Sequence, residues 1–231
     1  DCSGFTYSSV GDNSNRFTGV LDGQDYVVGN LTISEGSSDY VGLIGAMDSG
    51  GQVKNIGVVD ADITGIYSAG GLVGSNEGSV SNSYSTGSVT GYSNVGGLVG
   101  YNSGSVSNSC STVDVDGASN QVGGLVGHNG DGSVSSSFST GSVTGDSDVG
   151  GLVGDNFGGS VSGSYWDNQS SGQSSSDGSA TGLTTSEMQG NSAETNMDDF
   201  GFSSNWTSVL ASDSDASAGG YPILQSLDRS A

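Results

Sequence analysis

A motif of about 26 residues repeats through the middle of the chain, and no other feature restricts the fold as much. Residues 66–91 read IYSAGGLVGSNEGSVSNSYSTGSVTG, 92–117 read YSNVGGLVGYNSGSVSNSCSTVDVDG, and 118–145 read ASNQVGGLVGHNGDGSVSSSFSTGSVTG. A fourth copy starts at Asp146 and departs from the pattern after SGSYW, and a degenerate copy fills 38–65. The Gly-Leu-Val-Gly element begins at Gly71, Gly97, Gly124 and Gly151, and as Gly-Leu-Ile-Gly at Gly42. A unit this short cannot bury its own apolar side chains, so the copies must stack on one another.

Within each copy the local signals are for strands. GSVSNSYS alternates with period two, which predicts Val80, Asn82 and Tyr84 on one face and Ser79, Ser81 and Ser83 on the other. GSVTG supplies a second short strand, with Val89, Val115 and Val143 in equivalent places, and VGGLVG a third. Three short strands per repeat predict an all-β, three-sided parallel β-solenoid of about five coils with irregular caps at both ends. A propeller is the competing architecture, but its blades need four strands and about 40 residues. The predicted divisions are an N-terminal cap with opening strands (1–37), the repeats (38–165) and a C-terminal cap segment (166–231).

Charge narrows the setting. The chain carries 25 acidic residues against Lys54, Arg16 and Arg229, a formal net charge of -22. Such a surface repels itself in dilute buffer, and at molar salt the Debye length falls to about 3 Å, which screens the repulsion. Adaptation to high salt follows as an expectation. Nucleic acid and anionic membranes are expected to be poor partners, because both need the Lys and Arg that are scarce here. The 43 glycines and abundant serines do not make a linker, since Val, Leu and Ile recur at fixed offsets from the glycines. No apolar run reaches the length of a transmembrane span. The opening Asp1-Cys2-Ser3 shows no leader and places Cys2 one position late for a lipid anchor, so the chain reads as processed or excerpted.

GGLVGxN followed by GSVSNSYSTGSVTG resembles the GLUG-motif repeats of large bacterial and archaeal surface proteins, among them adhesin-like proteins and the non-catalytic part of some IgA-cleaving metalloproteases. FTGVLDGQDYVVGNLTIS (17–34) looks like the opening turn of such arrays, SYWDNQSSGQSSSDGSATGLTTSEM (164–188) like their closing segment, and GYPILQ (220–225) like their terminal strand. The resemblance implies a secreted or cell-surface location and a solenoid architecture, and it brings no catalytic residues.

The chemistry-bearing residues give little else. H-E-x-x-H is absent, and the single histidine, His128, falls at a position that varies between copies and reads as a surface turn. A β-helical polysaccharide lyase needs a basic residue beside bound calcium, and none of the three cations lies in the regular repeats. A two-carboxylate hydrolase needs only aspartates, but no Asp recurs in a way that outlines a cleft. The pairs Asp114/Asp116, Asp146/Asp148 and Asp213/Asp215 offer calcium oxygens, though their expected role is a solvated acidic surface, and no cofactor is expected. Cys2 and Cys110 permit one disulfide, between them or across molecules, or none. Asn30, Asn168 and Asn205 head N-glycosylation sequons. Trp166, Phe200, Phe202, Trp206 and Tyr221 predict an aromatic layer capping the final coil, with a carbohydrate platform as the functional alternative. The expected protein is a non-enzymatic extracellular structural subunit that self-associates. The alternative is an adhesin or stalk module that binds glycans or other surface proteins.

Overall fold

In a computed structural model, which describes residues 1–36, 38–202, 204–208 and 220–225, the repeats wind into a parallel β-solenoid. Strands at matching places in successive copies pair in parallel and build three sheets along the rod, of 12, 4 and 5 strands. Register is kept copy to copy: Val53, Val80, Val106, Val134 and Val161 form one column, and Ile44, Val73, Val99, Val126 and Val153 another. Leu72, Leu98, Leu125 and Leu152 fill the space between walls with no exposure, so the leucine of GGLVG faces inward. Each such Val or Leu is worth about 1.5–3 kcal/mol when fully buried.

The paired glycines of GGLVG are required because chain approaches chain there. A Cβ on Gly96 would lie 2.0 Å from the Val99 carbonyl oxygen, and one on Gly97 only 2.1 Å from Ser111 Oγ. Neither position admits a side chain without moving backbone.

The face expected for Val80, Asn82 and Tyr84 is not the one observed. Asn82 adopts φ 49°, and its neighbours in the stack do the same: Asn55 at 52°, Asn108 at 47°, Ser136 at 47° and Gly163 at 49°. Asn and Gly tolerate this left-handed conformation better than other residues. The bend shifts the alternation by one place, so Val80 is followed inward by Ser83 and Ser85, while Tyr84 turns outward and is half-buried. Cys110, Phe138 and Tyr165 share Tyr84's outward column.

That column decides where the C-terminal segment goes. Phe138, Tyr165, Met188, Ala193, Met197, Phe200, Trp206 and Leu224 form a second core, with Cys110, Phe202 and Tyr221 packed against it. The helix Gly190–Asn196, the turn Asp198–Phe200 and the hairpin of Trp206–Thr207 with Ile223–Leu224 therefore lie on the flank of the rod. The aromatic layer predicted over the final coil is corrected accordingly. Its members Phe200, Phe202, Trp206 and Tyr221 cover an outward apolar column, and only Trp166 belongs to the main core. The end of the rod is closed instead by residues 171–183, whose backbone and serines bond the last coils: Ser171 O to Val143 N, Ser175 O to Gly151 N, and Thr181–Leu183 paired with Tyr165–Asp167.

Candidate interaction surfaces

Polar side chains inside the rod are arranged in ladders. The asparagine of each GGLVGxN donates to the next: Asn76 Nδ2 to Asn102 Oδ1 at 2.7 Å, Asn102 to Asn129 at 2.7 Å, and Asn129 to Asn156 at 2.6 Å. Ser83, Ser109, Ser137 and Ser164 form a second ladder. Each hydroxyl donates to the carbonyl two residues earlier, and those of Ser109, Ser137 and Ser164 accept the backbone N–H of the serine one coil before. Each buried group is thereby partnered, as an apolar surrounding demands. The recurring Asn and Ser were visible in the sequence, but the inward direction of the Ser83 ladder followed only from the bend at Asn82.

His128 lies in the strand Val126–Asn129, in register with Ser75, Tyr101 and Asp155 of other coils, so its expected place in a turn is corrected to a place in a ladder. Its Nδ1 is 2.7 Å from Asp155 Oδ2, Gln121 Nε2 lies 2.9 Å from the same oxygen, and the ring stacks on Tyr101 at 5.2 Å. These contacts tie three coils together. Gln121 takes φ 62° and turns its amide onto this group.

Asp114 and Asp116 stand exposed on the outer face and accept from Ser142 and Thr144 of the next coil, at 2.7 and 2.8 Å. Asp146 and Asp148 are also exposed, while Asp213, Asp215 and Arg229 lie outside the described residues. Among the described residues no group of three or more His, Cys, Asp or Glu is placed to hold a metal ion. Near the N-terminus an open polar cleft of about 410 Å³ includes Asp12, Glu35, Asp39 and Tyr40. Asp12 there accepts from the backbone of Asn15 and Ser14, which holds its carboxyl below the usual range, and Glu35 accepts from Ser9.

Cys2 and Cys110 are free thiols. Cys2 bonds Gly29, and the strand of Gly29 is separated from that of Cys110 by three parallel pairings, about 14 Å, twice the Cα separation a disulfide tolerates. A bond between them within one chain is thus excluded by geometry. Burial pushes the Cys110 thiol up to about 12. Of the sequon residues, Asn30 is exposed and Asn168 half-buried, whereas Asn205 donates its amide to Asn108 Oδ1 at 3.0 Å. A glycan on Asn205 would sit on the same amide nitrogen that makes this contact between flank and rod.

Asp167 anchors the closing segment. It is buried, and its carboxylate accepts from the Tyr221 and Thr185 hydroxyls and from the backbone of Gln169 and Ser170. Burial pushes this carboxyl up, but the four donors together outweigh it and the net shift is downward. Burial, reinforced by Asp167, raises the Tyr221 phenol to about 12. The aromatics once expected to present a carbohydrate platform are spent here and in the second core. Exposed rings occur elsewhere: Tyr67 and Tyr92 meet edge to face at 6.1 Å, and Phe157, Phe5, Tyr7 and Tyr26 are exposed as well.

Comparison with known proteins agrees with this architecture. The GLUG motif matches residues 65–90, 91–116 and 118–144. Halomucin of Haloquadratum walsbyi, a halophilic archaeon, is 36% identical over 90 residues, covering 38% of this chain and 1% of that protein. A protein of Evansella cellulosilytica described as a Gly-rich membrane protein is 33% identical over 86 residues, covering 36% of this chain and 10% of its own length. The chain thus spans a small part of both relatives. A crystal structure described as an immunoglobulin A1 protease from Bacteroides ovatus superposes with a TM-score of 0.65 at 18% identity, over 89% of this chain and 76% of that one. This last likeness shows a shared fold.

Proposed function

We propose that this GLUG-motif repeat chain is a non-enzymatic structural module of the extracellular cell surface, a unit of a filament, sheath or surface layer in a high-salt organism. The observation that carries the reading is how the side chains are used. Apolar columns and Asn and Ser ladders consume the interior, and the outer polar groups bond the neighbouring coil. The result is a rod whose cross-section repeats and whose surface is acidic. The names of the relatives, a halomucin and a Gly-rich membrane protein, support a place at the cell surface. The net charge of -22 supports high salt, where self-repulsion is screened.

Electron microscopy of the purified protein and of cell-surface material in molar salt tests the reading. Ordered assemblies with an axial repeat near one rod length are expected. Short rods that stay dispersed at high concentration would sink the filament. An adhesin or stalk module is the second reading, favoured by the exposed Tyr67–Tyr92 pair. Glycan binding lost on Tyr67→Ala and Tyr92→Ala would move the assignment there.

A further inference from the structure

We propose that copies of this chain stack end to end, the open N-terminal edge of one against the serine-rich closing coil of the next. The inference rests on the structural reading above and names the surface such an assembly would use.

The two ends of the rod differ. At the N-terminal end the strand Val20–Gly29 pairs with Gln52–Thr64 along one edge. Along its other edge, among the described residues, no strand pairs with it; Cys2 N reaches only Gly29 O. Exposed large apolar side chains gather at this end: Phe5, Tyr7, Val10, Val20, Tyr26 and Val27, with Tyr26 at 70% and Val20 at 59% exposure. Elsewhere on the described surface only Tyr67, Tyr92 and Phe157 are comparably bare. An open sheet edge flanked by exposed apolar groups is a template for association.

At the far end the strand Thr181–Leu183, among the described residues, pairs only with Tyr165–Asp167. The segment before it, NQSSGQSSSDGSA from Asn168 to Ala180, carries Asp177 as its one charged residue. Approach at this end therefore meets little of the repulsion expected from an acidic chain.

A second copy is the occupant that fits both ends at once. Every strand pairing in the rod is parallel, so each open edge is continued by a strand running the same way. Translation along the axis brings Thr181–Leu183 of one copy beside Val20–Gly29 of the next in that direction, on a rod of the same cross-section. Head-to-head contact would set these edges antiparallel. The contact is heterologous and does not close on itself, so it generates a filament. Residual charge makes it dependent on salt.

Disulfide trapping in molar salt tests the proposal, using a Cys2→Ser background and far-UV circular dichroism to verify folding. Val27→Cys and Thr181→Cys, which continuation of the rod's register sets side by side, are placed on separate chains and mixed under mild oxidation. The expected product is the mixed dimer. The double substitution Val20→Asp with Tyr26→Asp, on the otherwise unaltered chain, is expected to raise the concentration for half-assembly by about tenfold or more. Ser174→Asp with Ser179→Asp at the other end is expected to do the same. Covalent dimers of Val27→Cys with itself, and none mixed, would overturn end-to-end stacking in favour of head-to-head pairing. Assemblies that form with no mixed dimer and ignore both Asp pairs would overturn it while leaving the filament reading in place. A protein that remains monomeric at every concentration would overturn both.

Discussion

Asn102 stands in the middle of the buried ladder, and truncating it tests whether polar columns help hold the rod or merely fill it. Its Oδ1 accepts from Asn76 Nδ2 at 2.7 Å and its Nδ2 donates to Asn129 Oδ1 at 2.7 Å. In Asn102→Ala, Asn76 Nδ2 keeps the Ser105 carbonyl at 3.2 Å, so that side loses one net hydrogen bond, about 0.5–1.5 kcal/mol. Asn129 is fully buried, and its Oδ1 is left without the donor it had, at a cost of about 1–3 kcal/mol. The expected loss is therefore roughly 2–4 kcal/mol. Asn156→Ala is the internal control. Asn156 is half-buried at the end of the ladder, and its partner Asn129 Nδ2 keeps the Gly132 carbonyl at 3.3 Å, so the cost should be about 1 kcal/mol. Urea unfolding in molar salt measures both, and hydrogen exchange localises the loss, since stacked repeats open by neighbouring units. If Asn102→Ala costs no more than Asn156→Ala, the ladder adds nothing to the apolar columns and the reasoning fails.

Gly97→Ala should destabilise by several kcal/mol, since its Cβ would meet Ser111 Oγ at 2.1 Å and the Gly124 carbonyl at 2.3 Å, whereas Gly50→Ala, with nothing within 4 Å, should be neutral in the same melts. The Asp167–Tyr221 contact should loosen the closing segment at both pH extremes. Asp167 has a depressed folded pKa, so its contribution is present above the unfolded value of about 3.9 and is lost as pH falls through the folded one. Tyr221 has a raised one, so its contribution is intact below about 10 and lost as pH rises toward about 12. Trp206 fluorescence against pH reads both limbs, and a flat trace through both windows would refute the linkage. Cys2 should react with a thiol reagent well before Cys110, which is covered by the flank and whose pKa of about 12 leaves almost no thiolate at neutral pH; equal rates would contradict that cover.

The winding of the chain was legible because the repeat is: Val80, Val106 and Val134 occupy one register in sequence and in space. What the letters did not show was direction. Period-two alternation carries no warning of a positive φ, so Tyr84 was expected on the face of Val80 and stands on the opposite one. The one signal lay in the composition of that position, Asn55, Asn82, Asn108 and Gly163 being residues that tolerate the left-handed conformation. From that single slip the other differences follow. Ser83 and Ser85 turn inward and become buried donors, Phe138 and Tyr165 turn outward, and the C-terminal aromatics gain a flank to cover. His128 was misplaced for a different reason. A residue that varies between copies looks like a turn, but on the outer side of a strand nothing constrains its identity.

Inner and outer columns therefore answer to separate physical demands, which decides where any recognition must reside. An inner column must present the same shape to the coils on both sides, so a change at one level disturbs two interfaces; Val, Leu, Asn and Ser recur there. An outer column needs only to tolerate its neighbour, and the register Ser75, Tyr101, His128, Asp155 shows four unrelated side chains accommodated on one wall. Even there the groups pair with one another, His128 with Asp155 and Tyr101, rather than remaining open to a ligand. The flank is likewise occupied by the chain's own C-terminal layer. Of the extended surfaces described, the N-terminal edge combines an open strand ladder with exposed apolar side chains, and such a combination is satisfied by more of the same structure.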